Sequence, residues 1–238
     1  MADQIAENIR VIRERMAGAA RRSGRDPDSV RLLAVSKKKP AGMIAQALAA
    51  GQTLFGENYV QEALEKIEMF STGSLAANGP APRWHMIGHL QTNKARFIPG
   101  RFQAVETVDS ERLARALSRH AESTGATLEV LLQVNWTAEA GKAGLTGRDD
   151  VKRLMEGVLE MPALELKGLM TIPDPELDEV GTRKVYAAIR ALREELAGSL
   201  GLKDSFTELS YGMSHDFELA IEEGSTLVRV GTAIFGER

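Results

Sequence analysis

The sequence contains no cysteine in its 238 residues. That excludes disulfides and thiolate metal sites, and nothing hints at an oxidising compartment. Aromatic residues make up only 5% of the chain, and none accompanies the arginines near the N-terminus, so base stacking beside those cations is excluded. An excess of one charge is also lacking. Thirty Lys and Arg stand against 33 Asp and Glu, a net charge of −3, so no overall basic field points to nucleic acid. Arg10, Arg13, Arg15, Arg21, Arg22 and Arg25 form a local basic stretch. Glu7 and Glu14 are interleaved with them, and the stretch reads as a solvated helix face. No segment approaches the roughly 20 apolar residues that span a bilayer. The N-terminus has no apolar signal-peptide core. The expectation is a cytoplasmic protein without a membrane segment.

Several chemical signatures are missing as well. No Gly-x-Gly-x-x-Gly follows the first strand, which argues against a doubly wound dinucleotide fold. Ser36, Ser210 and Ser214 lack a Gly-x-Ser-x-Gly elbow. His85, His89, His120 and His215 stand in no set with metal-ligand spacing, so each reads as a structural or loop histidine and no metal is expected.

What is present is a regular alternation of short apolar runs and helical patterns. Ile5, Ile9, Ile12 and Met16 recur at helical spacing over 3–22, and Ser23-Gly24 ends that helix. Strands are expected at Val30–Val35, Thr53–Phe55, Trp84–Ile87, Ala104–Val108, Leu128–Val134, Leu164–Leu169, Phe206–Leu209 and Leu227–Val230. Helical patterns lie between them, one opened by Pro40, the clearest others after Asn58, Ser110, Asp149, Asp178 and Ser214. Continuous apolar strands suit a parallel sheet covered by helices. About eight such units make a TIM-type (β/α)8 barrel, which typically takes about 250 residues. The fold expected is a single barrel domain over residues 1–238 with an additional N-terminal helix. The stretch 71–82 reads as a loop inside that domain.

In such a barrel ligands sit at the C-terminal ends of the strands. Ser36-Lys37-Lys38-Lys39 comes directly after the first strand. A lysine fenced by apolar neighbours is pushed towards its neutral amine, which can form a Schiff base with an aldehyde. A solvated loop would explain the same run, and Lys38 and Lys39 read as facing water or phosphate. Gly212-Met213-Ser214 leads into a helix expected to begin near Ser214, and Gly231-Thr232 comes after the last strand. Backbone N–H groups of these turns, with the Ser214 hydroxyl, could hold a phosphate. Either turn alone could be ordinary helix capping. Phosphate sites built after strands seven and eight recur in TIM barrels. Arg229 lies within an apolar strand, where it would either donate to a ring nitrogen, keeping that nitrogen unprotonated, or pair with a carboxylate such as Glu223.

Leu-Leu-Ala-Val-Ser-Lys37, Phe-Gly-Glu-Asn58-Tyr-Val-Gln-Glu, Trp84-His-Met-Ile-Gly-His-Leu-Gln-Thr-Asn-Lys94, Gly168-Leu-Met, Gly212-Met-Ser214 and Val228-Arg-Val-Gly-Thr-Ala-Ile-Phe-Gly236 occur in order along nearly the whole chain. Together they resemble the pyridoxal phosphate homeostasis protein family (YggS/PROSC type). The resemblance implies a fold like the N-terminal barrel of alanine racemase, with pyridoxal 5′-phosphate as an imine on Lys37. It implies phosphate contacts from Met213, Ser214, Gly231 and Thr232, a ring-nitrogen contact from Arg229, and Asn58 near the cofactor. It also implies a carrier or regulator in vitamin B6 balance with no catalytic residues, and PLP-dependent apoenzymes are the partners such a carrier would serve. Tyr211, His215 and Phe217 are bulkier than the family's usual pattern, and Lys38 stands where threonine is common, so the pocket rim is where this chain departs.

The alternative is a PLP-dependent amino-acid racemase or decarboxylase. A third reading is a barrel enzyme for another phosphorylated metabolite without a cofactor. With the barrel pattern running to Arg238, a second, β-rich domain like that of the racemases is not expected, and a monomer with an open pocket is expected. Arginine at the ring nitrogen would also weaken the cofactor as an electron sink. Lys38, Lys39 and Lys142 are expected as secondary acceptors of the aldehyde.

Overall fold

The computed structural model describes residues 2–72, 75, 80–139, 141 and 143–237. Half of the loop expected at 71–82, and Lys142, lie outside the described residues.

Eight strands close into a barrel in sequence order. They are β1 (Arg31–Val35), β2 (Leu54–Glu57), β3 (Arg83–Met86), β4 (Ala104–Val108), β5 (Leu128–Val134), β6 (Leu164–Thr171), β7 (Glu208–Ser210) and β8 (Leu227–Val230). Every neighbouring pair is parallel, and β1 closes the ring on β8 with Ala34 opposite Val230. The barrel with an N-terminal helix, expected from the alternation of apolar runs, is the fold observed.

The helices are α1 (Ala2–Arg22), α2 (Ala41–Ala49), α3 (Val60–Ser71), α4 (Glu111–Thr124), α5 (Arg148–Leu159), α6 (Glu179–Ser199), α7 (Phe217–Glu222) and α8 (Thr232–Phe235). The β3–β4 connection departs from the pattern: it holds only a 3-10 segment, Thr92–Phe97. Pro99-Gly100, with Gly100 at φ 74°, stops any extension of it. In α1, Ile5, Ile9, Ile12 and Met16 are all buried, each worth about 1.5–3 kcal/mol relative to exposure. The other face carries Arg10, paired with Glu7 and Glu14. Arg15 and Arg22 reach Glu218 and Glu222 of α7. Arg10, Arg15 and Arg22 thus lie on a solvated, ion-paired helix face, whereas Arg25, past the helix end, donates to Ile221 O and Ser225 O.

Between strands and helices lies one large apolar core. Inside the ring the packing differs. Leu33, Leu54, Ile87 and Leu227 form a small separate apolar cluster. Gly56 makes room for it: a Cβ there would come within 2.3 Å of Leu33 Cδ2. Alongside stand His85, Glu106, Ser210 and Arg229, all buried. Four strands therefore contribute polar groups to the interior, an arrangement tolerated only when they satisfy one another.

Candidate functional site

Lys37 lies two residues past the end of β1 and is half-buried. Its flanks are held firmly. The Ser36 N–H donates to Gly56 O at 3.0 Å, and the Lys39 N–H donates back to Ser36 O at 3.0 Å. Lys38 takes a left-handed φ of 58°, a strained choice for a side chain longer than Asn. Two charged groups of α3 hold that turn. Lys66 Nζ donates to Ser36 O at 2.8 Å, and Glu62 Oε1 accepts from the Lys38 N–H at 2.5 Å. Lys66 also pairs with Glu57 at 2.6 Å and Glu62 at 2.7 Å. The Ser36 hydroxyl donates to Glu57 Oε1 at 2.7 Å. Burial pushes the Glu57 carboxyl up, and the hydrogen bond and charge of Lys66 oppose this only in part.

Lys38 is exposed, as expected, with its ammonium 5.8 Å from the centre of the Tyr59 ring. Lys39 differs from expectation. It donates to Phe235 O at 3.3 Å, Gly236 O at 3.0 Å and Glu237 O at 2.8 Å. The carbonyls at the end of α8 lack intrahelical partners, and a nearby ammonium satisfies them. Lys39 therefore clamps the end of α8.

The loops after β7 and β8 meet beside the β1 end that carries Lys37. Gly231 lies against β1, where a Cβ would sit 3.2 Å from Val35 Cβ and Val35 O. The Ser214 hydroxyl accepts from the N–H groups of Gly231 at 3.3 Å and Ala233 at 3.4 Å. These are long bonds, weak enough to exchange for a better acceptor. Thr232 is exposed at the start of α8. The helix after β7 begins at Phe217, not near Ser214, because Gly212 (φ 95°) and a turn at Met213–Asp216 intervene. Asp216 accepts from the Met213 N–H at 2.6 Å and from the Tyr186 hydroxyl at 2.6 Å. The Met213 amide is thus engaged within its own turn, and Ser214 ties the two loops together instead of capping α7.

Arg229 reaches the same end of the barrel. It donates to Ser210 Oγ at 2.6 Å and to Thr171 O at 3.0 Å, the last residues of β7 and β6. Glu223 is not its partner; that carboxylate pairs with Arg183 at 3.2 Å. Burial lowers the Arg229 pKa and the nearby Glu106 charge opposes that, yet a guanidinium stays charged in a protein. Glu106 Oε2 accepts from Ser210 at 2.5 Å and Oε1 lies 2.7 Å from His85 Nδ1. Burial alone would raise the Glu106 carboxyl. The hydrogen bond and charge of His85, joined by Arg229 and Ser210, overcome it and hold the group below the usual range. Asn58 lies just past β2 with its backbone pressed against Gly88, and its buried Oδ1 has no partner among the described residues.

Lys37, Asn58, Ser214, Arg229, Gly231 and Thr232 thus gather at the C-terminal end of one barrel. The set fits a phosphorylated aldehyde: an amine, donors between two loops, a fixed cation and an unsatisfied amide oxygen. Lys66, Glu62, Glu106 and Ser210 escape a sequence-based choice of site residues. A charged residue in a fully buried strand, as in Ala-Val-Glu106-Thr-Val, is the signal available for Glu106, as it is for Arg229. Among the described residues no group of His, Asp and Glu could hold a metal ion, and no helix is long and apolar enough to cross a membrane.

Residues 2–238 match the family model "Alanine racemase, N-terminal domain". The pyridoxal phosphate homeostasis protein of Pseudomonas aeruginosa is 45% identical over 234 residues, covering 98% of this chain and 96% of that one. PipY of Synechococcus elongatus PCC7942, solved with PLP bound, is 37% identical with a TM-score of 0.83, covering 98% of this chain and all of that one. An alanine racemase from Corynebacterium glutamicum shares the fold at 21% identity and a TM-score of 0.69; this chain spans 61% of it. The chain belongs to the alanine racemase N-terminal domain family and, within it, to the pyridoxal phosphate homeostasis proteins.

Proposed function

We propose that this protein holds pyridoxal 5′-phosphate as a Schiff base on Lys37 and serves intracellular vitamin B6 homeostasis without a catalytic reaction of its own. It would act as a cytoplasmic monomer, one barrel domain over residues 1–238, from which PLP-dependent apoenzymes draw cofactor. The observation that carries the reading is the meeting of the Lys37 strand end with the Ser214–Gly231 junction at one barrel mouth.

The residues divide the work. The amine of Lys37 condenses with the aldehyde, with loss of water. The hydroxyl of Ser214 and the N–H groups of Gly231, Thr232 and Ala233 receive the phosphate, for which the two long bonds at Ser214 are given up. Met213 shapes that loop through its bond to Asp216. Arg229 faces the ring nitrogen. Two of its five N–H donors are engaged by Ser210 and Thr171, which leaves donors for the ring. Asn58 offers its unpartnered oxygen to the ring substituents. When bound, the group supplies a reactive aldehyde and, in enzymes, an electron sink; Arg229 keeps the ring nitrogen unprotonated and weakens that sink.

Mixing purified protein with pyridoxal 5′-phosphate should give a yellow near-visible band, lost in Lys37→Ala. Prolonged incubation of the loaded protein with D- or L-amino acids, followed by chiral analysis, should show no sustained turnover. Turnover would replace the carrier with the racemase or decarboxylase alternative.

A further inference from the structure

We infer that Glu106 and Ser210 are positioning residues that aim Arg229 at the bound ring and set the charge around it; this rests on the ligand assignment proposed above. The chain of contacts runs across the barrel interior from β3 to β6. His85 lies 2.7 Å from Glu106, Glu106 accepts from Ser210 at 2.5 Å, and Arg229 donates to Ser210 at 2.6 Å and on to Thr171 O at 3.0 Å. Every side chain in it is buried, Glu106 and Ser210 completely. Ser210 is the hinge of the chain. Its hydroxyl accepts from the guanidinium and donates to the carboxylate, so it can hold both only in one orientation.

A guanidinium in this place, without a counter-charge, would meet the full cost of burial. Glu106 is the anion that makes it tolerable. The other charged or titratable groups acting on the pair are His85 on the Glu106 side, with Tyr186 and Asp216 on the Arg229 side. Asp216 is itself held by Tyr186 and the Met213 amide. Glu106 is therefore the anion bridged to the arginine through a single hydroxyl. Its charge and its bridge together fix both the direction and the strength of the donor offered to a ring nitrogen. Glu106 touches neither the ring nor the reacting amine, so its effect passes through Arg229.

The test is the pH at which the bound Schiff base loses its proton, read from the near-visible spectrum of the loaded protein. Glu106→Gln keeps the shape and removes the charge. Without that anion a protonated imine near Arg229 is disfavoured, and the midpoint should fall by about one pH unit. Ser210→Ala cuts the bridge and should move the midpoint in the same direction by less. In the Arg229→Gln background, Glu106→Gln should add little, as expected if the two act through one another. A coloured Glu106→Gln protein with the wild-type midpoint would overturn the inference and leave the ligand assignment intact. A wild-type protein that takes up no colour would overturn both. Should Glu106→Gln fail to fold, Ser210→Ala decides: a lowered midpoint supports the inference and an unchanged one overturns it.

Discussion

The ammonium of Lys66 donates to the carbonyl oxygen of Ser36 at 2.8 Å, one residue before the amine assigned to the ligand. The same ammonium is ion-paired with Glu57, whose side chain is wholly buried. A helix residue thereby fixes both the backbone that presents Lys37 and the charge beneath it.

Lys66→Met should cost about 3–5 kcal/mol at neutral pH, because it leaves Glu57 as an unpaired buried charge. Urea unfolding measures it. The cost should shrink in acid, where Glu57 can take up a proton. Loss of the Ser36 contact should also slow ligand capture while Lys37 remains the labelled residue. A penalty below about 1 kcal/mol, the range of surface pairs, would show that the pair is not effectively buried.

Ser214→Ala removes the side-chain hydroxyl that bonds to both Gly231 and Ala233 at the junction of the β7 and β8 loops. Affinity for pyridoxal 5′-phosphate should drop about tenfold, roughly 1.4 kcal/mol. Affinity for unphosphorylated pyridoxal should change little. Equal losses for both ligands in spectroscopic titrations would place the phosphate elsewhere.

The Glu106 carboxyl is held below its ordinary value of 4.5. The unfolded chain then binds more protons than the native one around and below that pH, so stability rises with pH through the window. The contribution is fully present above pH 4.5 and is lost as pH falls through the native value. The stability advantage of wild type over Glu106→Gln should therefore be constant above about pH 5 and shrink on acidification. Denaturation at stepped pH reads this directly. An advantage that grows towards acid would reverse the sign and show that burial outweighs His85 and Arg229.

The barrel is legible in the sequence because buried parallel strands read as short apolar runs. Ala104–Val108, Leu128–Val134 and Leu227–Val230 fall where the apolar pattern puts them. The edges are less legible. β7 starts two residues after Phe206, which is buried outside the strand. The helix expected near Ser214 begins at Phe217, since the positive φ of Gly212 and the Asp216 side chain build a turn first. The candidates Lys37, Asn58, Ser214 and Thr232 stand out because polar residues past a barrel strand lie at the ligand end of such a fold, Gly231 because a small residue follows the last strand, and Arg229 because a charge interrupts an apolar strand. Glu106 carries the same signal as Arg229, but the contacts of the supports are not legible, because no local pattern says that Lys66 reaches back 30 residues to Ser36 or that Glu106 meets Ser210 across the barrel. The fate of Lys39 is hidden for the same reason: its partners are carbonyls nearly 200 residues away, and carbonyls carry no sequence signal.

Borohydride reduction of the loaded protein, with peptide mapping of the product, tests the assignment of the amine most directly. The ring should be found on Lys37 as the main product, and Lys37→Ala should lose that product, leaving only minor label on the secondary acceptors. A label residing mainly on Lys38, Lys39 or any other lysine of the wild-type protein would contradict it.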